Sequence, residues 1–205
     1  MSNSLIPTGH AVNGLLEEKI HSLELFKGKF LHAFSDEVRL PSGAIGMREY
    51  VVHPGAVMVV PLLEGDDGQL SVVLERQFRY PVGQVMVEFP AGKLDPGEDC
   101  FHCAQRELRE ETGYTATQWA HAGVLHPVIA YSTEFIDIWF ARGLVAGARQ
   151  LDEGEFLEIF TATPAELLEG CRDGLVTDSK TLTAALWLQN VISGAWSLDW
   201  QHADA

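Results

Sequence analysis

Two apolar runs, "GAVMVVPLL" at 55–63 and "LSVVLERQF" at 70–78, constrain this chain more than any other feature. Each has the length of a strand, is rich in β-branched residues and is scarcely interrupted by polar ones, the pattern of a strand covered on both faces. A sheet built around such strands needs a layer on either side. The helical segments for those layers read as residues 99–112, "PAELLEGCRDG" at 164–174 and "SKTLTAALWLQNVI" at 179–192. Strands at "QVMVEF", "WAHAGVLH", "EFIDIWFARGL" and "EFLEIFTA" complete a mixed central sheet flanked by helices, so the expected class is α+β.

The texture changes near residue 55. Upstream, "LELFKGKFLHAFSDEVRL" and "AIGMREYVVH" alternate polar and apolar residues as half-exposed antiparallel strands do. Three regions are therefore expected: a small N-terminal antiparallel sheet over 1–54, a main domain over 55–195 and a tail over 196–205. The tail carries two tryptophans in a polar setting, which suits either docking on the body or a frayed terminus. The segment "PAGKLDPGED" at 90–99 holds Pro90, Gly92, Pro96 and Gly97 and reads as an irregular loop, neither strand nor helix.

Charge narrows the partners. With 29 Asp and Glu against 14 Lys and Arg, the formal net charge is -15 and no basic cluster offsets it, which argues against a nucleic-acid or anionic-membrane surface. No stretch has the length of an apolar membrane span, and "MSNSLIPTGH" lacks the pattern of a secretory signal, so a cytoplasmic location is expected. Cys100, Cys103 and Cys171 do not form a complete disulfide framework, in keeping with a reducing compartment. The CxxC of Cys100 and Cys103 lacks a second ligand pair and falls on a helix, where ordinary surface or half-buried cysteines are the expectation.

The acids are not spread evenly. "AGKLDPGEDCFHCAQRELREETGY" at 91–114 brings Glu107, Glu110 and Glu111 onto about one helical turn, where like charges repel unless a cation relieves them. A glycine-rich loop running into a helix that displays carboxylates suits a divalent metal beside a phosphorylated substrate. Taken alone, an REXXEE segment is more often a solvated acidic face laced by salt bridges. The wider spacing goes further: Gly92, Glu98, Arg106, Glu107, Glu110, Glu111 and Gly113 supply the seven fixed letters of GX5EX7REUXEEXGU, with Tyr114 at its last apolar position. This stretch resembles the Nudix box.

The resemblance implies an α/β/α sandwich and a hydrolase of nucleoside diphosphates linked to another moiety, using magnesium or manganese. Carried over by position, Glu107 and Glu111 are metal ligands together with the carbonyl of Ala91. Glu110 is a further or water-bridged ligand, while Arg106 and Glu98 orient the helix carboxylates. Around the box, "REYVVHPGAV", "ERQFRYPVGQVMVEFPAGKLDPGED" and "YSTEFIDIWFARGL" resemble the ADP-ribose pyrophosphatase branch. That likeness implies Arg48 packed on adenine, Arg79 on the diphosphate, Glu88 shaping the substrate and metal site, and Glu134 as catalytic base or holder of the attacking water. It also implies a homodimer formed through the N-terminal sheet. One departure stands out: in "VIAYSTE", Ile129 and Ala130 occupy the positions where the branch commonly carries proline and glycine. The expected reaction is cleavage of ADP-ribose to AMP and ribose 5-phosphate. GDP-mannose, another nucleotide sugar or NADH remains an alternative substrate, and a non-catalytic metabolite sensor an alternative class.

Overall fold

In a computed structural model of the chain, residues 14–65 and 68–203 are described. They fall into two compact units, one of residues up to His53 together with Val128–Glu134, the other of Pro54–Pro127 with Phe135 onward. In the first unit, β1 (Glu18–Lys27), β2 (His32–Arg39) and β3 (Ile45–Val52) form an antiparallel meander. Asp36 is buried within it and accepts hydrogen bonds from Ser22 Oγ (2.5 Å) and Tyr50 Oη (3.0 Å), which satisfies its carboxylate. The sequence pattern predicts half-exposed strands, but β1 is exposed on both faces along its whole length. Residues 128–134 join this unit through a parallel bridge between Val51 and Ser132. The turn at Ile129 is closed by the N–H groups of Tyr131 and Ser132 donating to Val128 O, without the proline.

The second unit is built on β4 (Ala56–Glu64), whose residues Val57–Val60 are wholly buried as the apolar run predicts. It pairs in parallel with β9 (Ile136–Ala146), which pairs with β8 (Tyr114–Leu125). On its other side stands β5 (Leu70–Arg79), followed by β10 (Leu157–Ala162). Alternate residues of β4 serve opposite layers. Met58, Val60 and Leu62 pack with Val72, Leu74, Ile138 and Phe140 under the helices α2 (Pro164–Arg172) and α3 (Ser179–Ile192). Val57 and Val59 pack with Trp119, Trp139, Leu108 and the helix α1 (Cys100–Glu107). Helix, sheet, helix is thus the layer order. Each fully buried side chain such as Phe140 or Leu108 contributes about 1.5–3 kcal/mol relative to exposure.

The helices start where their caps dictate. Asp99 accepts from the N–H groups of Phe101 and His102 at the head of α1, and Asp178 accepts from Thr181 N at the head of α3. Thr163 and Glu166 form a reciprocal capping box on α2. Two expectations need correction. Ala91–Lys93 is not irregular loop: it forms the short strand β7 against Met58–Ala56. The reason lies in β4, which pairs with β5 only over Leu62–Glu64 and leaves its other end free to take a new partner. The helix expected over 99–112 is α-helical only to Glu107, and Leu108–Thr112 is a π-helical turn. The tail through Ala203 docks: Trp196 packs edge-on against Trp187, Arg142 lies over Trp200, and β11 (Gln201–His202) pairs with β8. Among the described residues no helix is long and apolar enough to cross a membrane.

Candidate active site

The strands that flank the motif change partners along their length. Over Glu75–Arg79, β5 pairs with β6 (Gln84–Glu88), while β4 at Ala56–Met58 pairs with β7 and Val59 N donates to Pro90 O. The end of α1 packs with its π-turn on the Val57 and Val59 face of β4 and carries its acids there. π-turns widen the helix by one residue and recur at functional sites.

Glu107 and Glu111 are both buried, at 8% and 3% exposure. Glu111 Oε2 accepts from Ala91 N at 3.0 Å, which ties the π-turn to β7. Glu107 lies so close to Gly92 that a Cβ there would stand 1.9 Å from its carboxylate. The first glycine of the motif therefore makes room for the carboxylate. Gly113 ends the turn at φ 77°, in the left-handed region, and a Cβ there would meet Gly147 O at 2.8 Å.

Arg106 binds the group together. Its Nε and Nη2 donate to Glu98 at 2.9 and 2.8 Å, its Nη1 to Glu107 at 2.7 Å and Glu110 at 3.1 Å, and its Nη2 to Lys93 O at 3.1 Å. Those hydrogen bonds hold the Glu98 carboxyl down at about 2, against the pull of desolvation. Glu110 is half-buried and also meets Arg109. On the facing hairpin, Arg79 Nε and Nη2 grip Glu88 in a two-pronged contact at 2.7 and 2.8 Å. Lys180 of α3 donates to Glu88 as well and to Asp178 at 3.0 Å. Burial alone would raise the Glu88 carboxyl, but Arg79 and Lys180 outweigh it and the group is lowered.

The remaining predicted residues lie in the first unit. Arg48 is engaged by Glu17, with Nε donating at 2.9 Å, and its Nη1 donates to Met47 O. Glu134 sits 3.9 Å from His53 Nε2, and its N–H donates to Ser132 Oγ. The structure thus brings Arg79, Glu88, Ala91, Glu98, Arg106, Glu107, Glu110 and Glu111 into one unit and places Arg48 and Glu134 in the other.

Three further residues enter the electrostatics without having been singled out in the sequence. Glu75 is fully buried on β5 and directly opposite Glu88 in register. Glu155, ahead of β10, repels Glu75, Glu107 and Glu111. Lys180 is the counterion described above. A signal for Glu75 was present, an acid directly after the apolar run Val72–Leu74 of a strand expected to be covered on both faces. Glu155 and Lys180 gave none: Glu155 stands in the connection before β10, and Lys180 among polar residues in the first turn of α3.

Among the described residues no three His, Cys, Asp or Glu side chains are arranged to hold a metal ion, and Arg106 and Ala91 N–H donate to the oxygens of Glu107 and Glu111. The donor set nevertheless fits a hard divalent cation. All donors are oxygens, and the acids are under electrostatic pressure. Desolvation pushes Glu107 up to about 7 against Arg106, and desolvation followed by the charges of Glu75 and Glu107 raises Glu111. Desolvation and then Glu88 push Glu75 up to about 8. A cation among them would relieve the burial cost and the repulsion together.

A family model described as the NUDIX domain matches residues 52–185. The chain is 38% identical over 177 residues to a Bacillus subtilis (strain 168) protein named ADP-ribose pyrophosphatase, covering 85% of this chain and 94% of that one. It is also 38% identical over 180 residues, with the same coverages, to a Bacillus methanolicus protein named methanol dehydrogenase activator. A crystal structure of an ADP compounds hydrolase shares the fold, with a TM-score of 0.77, 22% identity, and coverage of 88% of this chain and 97% of that one.

Proposed function

We propose, from the premise that this chain belongs to the Nudix family, that it is a divalent-metal-dependent hydrolase cleaving ADP-ribose to AMP and ribose 5-phosphate. One observation carries the reading: buried Glu107 and Glu111, held against Gly92 and Ala91 at the end of α1, lie on the same unit as the Arg79–Glu88 pair. Glu107, Glu111, Glu110 and the Ala91 carbonyl are the groups that would hold magnesium or manganese. A cation held there would supply charge neutralisation for the phosphate oxygens and activation of the attacking water.

The chain's own residues do the rest. Arg106 keeps Glu107 and Glu110 in place from its anchor on Glu98. Arg79 uses two donors on Glu88 and has Nη1 uncommitted among the described residues, available to a diphosphate oxygen. Water attacks one phosphorus and loses a proton, the bridging P–O bond breaks, and the two monophosphates leave. Glu134 as holder or base for that water, and Arg48 as the adenine contact, are roles that rest on the family resemblance.

A homodimer is part of this proposal, supported by β1, which leaves Ile20, Leu23, Leu25 and Phe26 exposed. So is a cytoplasmic location, in keeping with three free cysteines. Ile129, 83% exposed where the branch commonly has proline, gives reason to compare substrates. The test is release of AMP from ADP-ribose with Mg2+ or Mn2+, ranked by kcat/KM against GDP-mannose and NADH. ADP-ribose is expected to lead, and Glu111→Gln to abolish turnover; no turnover by the wild type with either metal would sink the enzyme reading.

A further inference from the structure

Glu75 has no part in the reaction as described. It directly follows the apolar run Val72–Leu74 of β5 at 0% exposure, and neither of its carboxylate oxygens has a hydrogen-bond partner among the described residues. Buried polar groups are nearly always satisfied, and a carboxylate without a donor is among the least tolerable exceptions. Its neighbour Leu74 enters the core beneath α2 and α3, so alternation turns Glu75 to the opposite face of β5, the side of α1.

The groups on that face explain why Glu75 is unsatisfied. Glu88 stands across from it in register and takes the N–H donors of Arg79 and Lys180, with Lys180 committed also to Asp178. Among the other charges, that of Glu75 is the largest influence on Glu111. The other unpartnered buried atoms, Asp137 Oδ1 and Trp139 Nε1, are an acceptor and a donor two residues apart on β9. In its ionised form Glu75 offers two acceptors and no donor. What fits two acceptors, next to further carboxylates, is a cation.

We propose that Glu75 is an additional carboxylate of the metal centre, acting with Glu111 to hold a divalent cation directly or through one bound water. This rests on the metal-dependent reading of the site and adds to it a ligand from β5, outside the Nudix box. A carboxylate at this depth raises the affinity of the free protein for metal before any nucleotide binds.

The test uses metal-free full-length protein without substrate, titrated with Mn2+ and followed by the electron paramagnetic resonance of the free ion. Wild type is compared with Glu75→Gln and Glu75→Leu, the second keeping the volume while removing the buried charge. Both variants should lose about tenfold or more in Mn2+ affinity, or one Mn2+ per chain. The rise in Tm that Mn2+ gives the wild type should shrink, while the metal-free Tm of Glu75→Leu stays at or above that of the wild type. Unchanged Mn2+ affinity and stoichiometry in a folded variant would overturn the inference. Loss of fold in both variants would also overturn it, by making Glu75 a structural requirement of the core. A wild type that binds no Mn2+ would remove this inference and the metal-dependent reading together, whereas normal hydrolysis and Mn2+ binding in the variants would remove this inference alone.

Discussion

Gly92 shows how one absent atom shapes a site. Its place in the motif is set by space, since a methyl group there would fall within 1.9 Å of the Glu107 carboxylate. The obstructing group is the end of a side chain, so Gly92→Ala should fold with Tm within a few degrees of the wild type while pushing Glu107 out of place. Misplacement of a reacting or ligating group by an ångström costs about 10²-fold. We expect kcat/KM for ADP-ribose to fall by that order and Mn2+ binding to weaken; an alanine variant with wild-type kinetics would contradict the place given to Glu107.

At the scale of elements, the end of α1 is held by an ion-pair network as well as by its own hydrogen bonds. The cap at Asp99 contributes about 1 kcal/mol, and the clamp from Glu98 to Arg106 joins the preceding loop to the helix. The Arg106 hydrogen bonds lower Glu98 from the usual 4.5 to about 2. Its folded-state pKa is thus depressed, so its contribution to stability is fully present above about pH 4.5 and is lost as the pH falls through about 2. Glu98→Gln should lower Tm at pH 7, and the gap to the wild type should close across that window. A gap that stays constant from pH 7 to pH 2 would show that the charge of Glu98 is not what holds the clamp.

For the whole molecule, the open question is what covers β1. A strand with Leu23, Leu25 and Phe26 exposed and both faces bare is an edge that natural proteins cover or blunt. If a second copy covers it, sedimentation at micromolar concentration gives a dimer, and Leu23→Glu gives a monomer with an intact second unit. A wild type sedimenting as a monomer would count against the homodimer.

Layer order, helix positions and the motif acids were legible in the sequence because they rest on local periodicity and on fixed spacing. The runs at 55–63 and 70–78 mark strands covered on both faces, and α3 spans the residues its pattern marks, Ser179–Ile192. Three features of the second unit were not legible: β7, the π-turn over Leu108–Thr112, and the convergence of Glu75, Glu155 and Lys180 on the motif acids. The first depends on β4 leaving β5 partway along its length, and the last on residues far apart in the chain; neither has a local sequence signature. Sequence by itself determined which acids the helix carries; tertiary structure decided which of them are buried, because burial and mutual repulsion arise only when distant strands bring the carboxylates to one place.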